Sequence, residues 1–163
     1  GVDFNASYAL DFLGGDLDLG VDGTYLTKYD LAITPNGVLL DKNDKIFNPL
    51  DFKMRGRASW TSGAIRLNAA VNYVGEYTND LVTPNQPVDA WTSIDVGIAI
   101  TPGEETASFL EGGFTVSLDI RNLLGEESPY VNLAPNVNGS GGFDASASNP
   151  VGRVVGVSLR KKW

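Results

Sequence analysis

Lys53, Arg55 and Arg57 stand at every second position of one short segment, and Arg66 follows just beyond a Ser62-Gly63 turn. Alternate side chains of an extended chain share a face, so the four cations form a stripe across two adjacent strands. Such a stripe suits an anionic substrate. It equally suits a solvated wall in which Asp95 and Glu76 supply compensating charge. Asp16, Asp18 and Asp22 form an acidic row on another strand, fit either to bind cations or to pair with neighbouring lysines and arginines. Asp41, Asn43 and Asp44 offer the hard oxygen ligands that calcium takes, but the glycine and closing glutamate of an EF-hand loop are missing, so no metal is expected.

Other reactive groups are scarce. There is no histidine, which removes the commonest general base, and no cysteine, which excludes disulfides and thiolate metal sites. Gly139-Ser140-Gly141-Gly142 is followed by neither a lysine nor a helical pattern, so it reads as an outer loop and not as a phosphate cradle. The expected role is transport or binding, not catalysis, with no cofactor.

The elements that position these residues are strands. Apolar residues recur at every second position over about 2–10, 16–29, 52–61, 64–77, 92–101, 114–122 and 152 to the end, which predicts seven strands and no helix. On the third strand, Phe52, Met54, Ala58 and Trp60 oppose Lys53, Arg55, Arg57, Ser59 and Thr61. On the fourth, Ile65, Leu67, Ala69, Val71, Tyr73 and Tyr77 oppose Arg66, Asn68, Asn72 and Glu76. Asp95 faces the polar side of the fifth.

The chain has 163 residues, 42% of them apolar, and a net charge of −8. That charge argues against a nucleic-acid partner. No apolar run nears the ~20 residues of a membrane-spanning helix, but a membrane β-barrel carries a far weaker signal per segment.

Two regularities favour the barrel. Connections after strands one and three are tight, the one after strand five is intermediate, and those after two, four and six are long. Outer-membrane barrels keep short turns on the periplasmic side and long loops outside. Aromatic residues also fall in two rows. Phe52 and Trp60 share a face at opposite ends of strand three; at ~3.3 Å per residue and a tilt near ~40°, their heights differ by roughly 20 Å. Tyr25, Tyr29, Tyr73 and Tyr77 fall at the long-loop ends, and Tyr8, Phe114 and Trp163 at the short-turn ends.

The segment Phe114 to Asn132, FTVSLDIRNLLGEESPYVN, resembles the strand and adjoining box near the end of TonB-dependent outer-membrane receptors. The closing stretch FDASASNPVGRVVGVSLRKKW is similar to the last strand of the proteobacterial branch, with Trp163 where most relatives end in phenylalanine. NPLDFKMRGRASW and VNYVGEYTND look like earlier strand-to-loop pieces, so the likeness spans residues 1–163. It implies an all-β fold: an antiparallel transmembrane β-barrel segment, about seven strands of a roughly 22-stranded barrel whose lumen is closed by a plug. The implied role is uptake of a scarce nutrient, a metal chelate, vitamin or saccharide, across the outer membrane of a Gram-negative bacterium. The implied partners are the rest of the barrel and its plug domain, outer-membrane lipids, the small nutrient ligand and the TonB complex. TonB would act through an N-terminal part that this sequence lacks.

Within that frame, Lys53, Arg55, Arg57, Arg66 and Asp95 face the lumen, where the cations could meet an anionic substrate or acidic plug residues. Phe52, Trp60, Tyr25, Tyr29, Tyr73, Tyr77, Phe114 and Trp163 form the aromatic girdles. Tyr130 and Phe143, in the longest loop, could stack on a sugar or chelate, or pack on neighbouring loops. Arg121 and Arg153 would anchor that loop. The alternative is a soluble β-sandwich carbohydrate-binding module that stacks sugars on Trp60, Trp91 and tyrosines.

Overall fold

The alternating segments do form strands in the computed structural model, which describes residues 1–102, 113–134 and 141–161. In chain order these are β1 (Val2–Phe12), β2 (Gly15–Tyr25), the short β3 (Asp30–Leu31) and β4 (Leu40–Asp41), β5 (Phe52–Ser62), β6 (Ile65–Val74), the short β7 (Tyr77–Asn79) and β8 (Gln86–Val88), β9 (Trp91–Ile100), β10 (Phe114–Arg121) and β11 (Val154–Lys161). No helix occurs among the described residues. The seven long strands make one sheet in the order β1-β2-β5-β6-β9-β10-β11, every neighbour antiparallel. The expected all-β, antiparallel, seven-strand arrangement is therefore observed. The sheet is an open meander with β1 and β11 as its edges.

Turn chemistry sets the pairing. Leu13 and Gly14 both take positive φ (49° and 72°), which allows a two-residue connection from Phe12 to Gly15. Leucine is an unfavourable choice there, since its Cβ crowds the backbone. Between β5 and β6 the positive φ falls on Gly63, and Ser62 pairs directly with Ile65.

The register carries one face intact across all seven strands. Leu19 lies between Tyr8 and Ala58, Ala58 pairs with Ala69, Ala69 with Val96, Val96 with Ile120, and Ile120 with Val155. A slip of one residue at any pairing would interleave the two faces; none occurs. Among the described residues no second layer covers the apolar face: Val2, Tyr8, Val155, Val157 and Leu159 are 60%, 67%, 59%, 76% and 67% exposed.

The buried core lies elsewhere, in the long connections at one end of the sheet. Ile46 and Leu50 from the 26–51 loop, Tyr77 and Val88 from the 75–90 loop, and Val131 and Ala147 from the 122–153 loop pack into one cluster. The two-stranded sheets β3–β4 and β7–β8 lie in the first two of these loops.

Three boundaries differ from the periodicity. Strand two stops at Tyr25 and not at Tyr29, and strand four stops at Val74 and not at Tyr77. Both stop where their common neighbour begins: Tyr25 pairs with Phe52, the first residue of β5, and the last ladder-like bonds are Leu26 N–H to Asp51 O (2.7 Å) and Gly75 N–H to Phe52 O (2.9 Å). Beyond that point β5 offers no further partner, and Tyr77 pairs instead in the separate β7–β8 ladder. The final strand begins at Val154 and not at residue 152, where Gly152 takes a φ of +71°.

Candidate functional site

The polar face is the concave one. Its residues line a trough of about 960 Å³ that reaches from Ser7 on β1 to Ser158 on β11, so the sheet curls until both edge strands border one space. All five expected lumen residues lie on this face by register: Lys53 beside Thr24, Arg55 beside Asp22, Arg57 beside Gly20, Arg66 beside Thr61, and Asp95 beside Ala70.

Hydrogen bonds tie them together differently from strand to strand. The Arg57 guanidinium leans over Gly20 and pairs with Asp22. A Cβ at position 20 would come within 2.7 Å of Arg57 Nε, so the glycine makes room for this crossing. The pair is half exposed, which makes it worth about 0–1 kcal/mol. Its consequence is orientation: Asp22 neutralises Arg57 and leaves Arg55, its own register partner, to a neutral one. Arg55 donates to Asn72 Oδ1 (2.8 Å), and Asn72 donates on to Ser93 (3.1 Å) and Asp95 Oδ2 (3.1 Å). Asp95 Oδ1 accepts the Asn122 backbone N–H (3.0 Å). Asp95 thus serves as a connector between β6, β9 and the exit of β10. Arg66 donates weakly to Thr61 (3.4 Å), and Lys53 donates to the Ser146 carbonyl (3.3 Å) at the loop end.

Several expected residues fall elsewhere. Glu76 lies beyond the end of β6, so it is not part of the strand's polar face. Tyr29 sits in the first loop, where its carbonyl accepts the Lys42 N–H (2.8 Å). Tyr77 is buried in the loop core and is not exposed on the sheet. The loop-end aromatic row is Phe4, Tyr25, Phe52 and Tyr73, with ring centroids 6.4 Å apart for Phe4–Phe52 and Tyr25–Phe52 and 5.8 Å for Phe52–Tyr73. Tyr8 pairs with Leu19, well inside its strand. At the turn end, Trp60 Nε1 donates to Phe12 O (2.8 Å), and Lys161 lies 5.5 Å over the Phe114 ring. Trp163 lies outside the described residues.

In the longest loop Tyr130 is exposed and Phe143 half-buried. The Tyr130 ring lies against Gly142, whose φ is +91° and where a Cβ would stand 3.5 Å from it. Anchoring falls mainly to Asn122 and not to Arg121. The Asn122 amide donates to Glu126 O (2.8 Å) and accepts the Glu126 N–H (2.9 Å), and the residue itself holds a positive φ of 51°. The Arg153 guanidinium lies against Gly125. The acidic loop residues serve local turns: Asp41 caps Asn43 N–H (3.0 Å), and Asp44 accepts Asp51 N–H (3.4 Å). No group of three metal-ligating side chains converges among the described residues.

Asp144 was not singled out by sequence reasoning. Its carboxylate is fully buried, accepts the Ser146 N–H (2.8 Å) and Oγ–H (2.6 Å) and the Phe47 N–H (3.5 Å), and lies beside the Tyr77 phenol. Burial, then the nearby Asp144 charge, push the Tyr77 phenol far above its ordinary range. The Asp144-Ala145-Ser146 spacing, an aspartate able to cap the amide two residues on, was the one available signal.

The fold and the polar face define a curled, antiparallel, all-β sheet with one apolar face and one charged one. No family model, curated protein or solved structure matches the chain.

Proposed function

We propose that this chain is wall and outer loops of an outer-membrane barrel of the TonB-dependent receptor kind, and that it serves active uptake of a scarce nutrient. One observation carries the reading. Seven strands keep one convex face almost wholly apolar, and that face is left uncovered while the concave face carries the charges, with Val74, Trp91 and Val154 as its apolar exceptions at the loop end. Soluble proteins rarely expose a continuous apolar sheet face, whereas a barrel wall requires one. A β-sandwich would need a second sheet over it, and β3–β4 and β7–β8 are too short and belong to the loops.

Strand parity extends the argument. With seven antiparallel strands, β1 and β11 run in the same direction. Direct closure of β11 on β1, or a side-by-side second copy with its loops at the same end, would demand a parallel pair. An odd number of further strands makes both junctions antiparallel and removes both edges, as a lipid environment requires. The remainder of a barrel of about 22 strands meets that condition. In this reading the lipids meet the Leu19 and Val71 face, and the plug and the ligand meet the Arg55 face. TonB acts through parts of the protein outside this sequence.

Trp60 and Trp91 test the assignment because the register puts them on opposite faces. In lipid vesicles with brominated acyl chains, a variant retaining only Trp60 should be strongly quenched and one retaining only Trp91 should not. Equal quenching of the two, or a chain that stays monodisperse in buffer without detergent, would overturn the proposal.

A further inference from the structure

The three long loops meet at one buried side chain. Asp144, in the 122–153 loop, accepts from Phe47 N–H of the 26–51 loop and lies beside the Tyr77 phenol of the 75–90 loop, while Ser146 holds its other oxygen. Each loop also contributes two residues to the surrounding apolar cluster, so these bonds form away from water. A buried carboxylate held by neutral donors is stable only while those donors stay in place.

Further contacts link the loops pairwise around it. Ile46 N–H donates to Thr78 O (2.9 Å) and Thr78 N–H to Asp44 O (3.1 Å), joining the first loop to the second. The Asn79 amide donates to Asn132 O (3.2 Å), and Gln86 Oε1 accepts Asn132 N–H (2.8 Å), joining the second to the third. The Lys42–Asp80 ion pair (2.6 Å) reinforces the first of these seams.

We propose that the described parts of the three long loops form one rigid body locked by Asp144. The inference goes beyond the membrane reading and does not depend on it, because it rests only on the loop end. Its consequence is that a solute entering the trough from that end meets a single assembled cap. Lys53, at the head of the cationic stripe, is bonded to this cap through the Ser146 carbonyl.

Amide hydrogen exchange on the intact protein tests the lock. Asp144→Ala should speed exchange at Ile46 and Thr78, both outside its own loop, by tenfold to a hundredfold, the scale of losing charge-assisted hydrogen bonds. Val131 should accelerate with them, while the β5–β6 ladder keeps wild-type protection. Tyr77→Phe, which removes the phenol hydroxyl and leaves the core filled, should give the same pattern at smaller amplitude. Acceleration confined to residues 141–148 in Asp144→Ala would overturn the proposal. Should that variant not fold, wild-type exchange at Ile46 and Thr78 in Tyr77→Phe would overturn it alone.

Discussion

Placing an arginine at Leu19 tests the sheet's most consequential feature. Leu19 lies one residue from the midpoint of β2, on the apolar face, between Tyr8 and Ala58. If that face meets lipid, Leu19→Arg puts a charge near the bilayer midplane, a change that costs about 2–4 kcal/mol in a β-barrel wall. At ~1.4 kcal/mol per tenfold, this is roughly a 30- to 1,000-fold loss in the folded-to-unfolded ratio. If the face meets water, the side chain is already 41% exposed and the change is worth about 0.5 kcal/mol or less. The assay is equilibrium unfolding in urea of the intact protein in lipid vesicles. Two comparisons isolate the cause. Ser59→Arg lies at nearly the same height on the opposite face, beside Asp18 and Asn68, and should change stability little. Tyr25→Arg, on the apolar face at the loop end, should cost only about 0–1 kcal/mol, because the penalty falls near the interface. A Leu19→Arg variant as stable as Ser59→Arg would refute the assignment of lipid to this face.

Two further predictions concern the loop end. Tyr77 has a folded pKa well above its ordinary 10.0, so the stability it contributes is complete below pH 10 and is lost as the pH climbs toward its raised value. Tyrosinate absorbance should show one phenol ionising only with unfolding, and Tyr77→Phe should remove that late step. Asp44 is raised above its ordinary 3.8, first by burial and further by Asp51 and Glu76, against opposing contributions from the Asp51 N–H bond and Lys45. Its ionised form is therefore the disfavoured one in the fold, and the penalty sets in as the pH rises above 3.8 and is complete once it passes the raised folded pKa. Asp44→Asn should raise the melting temperature at neutral pH, with the gain vanishing below pH 3.8; asparagine also tolerates the positive φ of 56° there. An unchanged or lower melting temperature at neutral pH would count against this account.

The sheet was legible in the sequence because its determinants are local. Alternation at Lys53 to Trp60 fixes which side chains share a face whatever the neighbours do, and the glycine at 63 marks the turn, which falls on Gly63-Ala64 and not on the expected Ser62-Gly63. The strand ends were not legible, since they depend on where a partner stops. Tyr29 and Tyr77 continue the alternation of β2 and β6 correctly, yet β5 starts at Phe52 and leaves them no partner in the large sheet; Tyr77 pairs instead with Val88 in the short β7–β8 ladder. The candidate site divided in the same way. Parity put Arg55, Arg57 and Asp95 on one face, but only the register shows that Asp22 serves Arg57 across Gly20 and leaves Arg55 to Asn72. Asp144 escaped notice because its neighbours lie 67 and 97 positions away, a separation over which sequence pattern carries no information.

Tyr77 joins the two halves of the molecule's physics. By alternation it belongs to an aromatic girdle, and by structure it fills the core that the sheet itself lacks. The sheet's apolar face is left uncovered among the described residues, and the sheet builds no such cluster of its own. The loops supply theirs internally, with two residues from each and a buried carboxylate beside them. An aromatic residue just past the end of β6 is therefore drawn inward, where burial of its ring in the loop cluster outweighs what it would gain at the edge of the sheet. The same reasoning explains why Tyr73, four residues earlier and still paired with Met54, remains on the outer face beside Phe52.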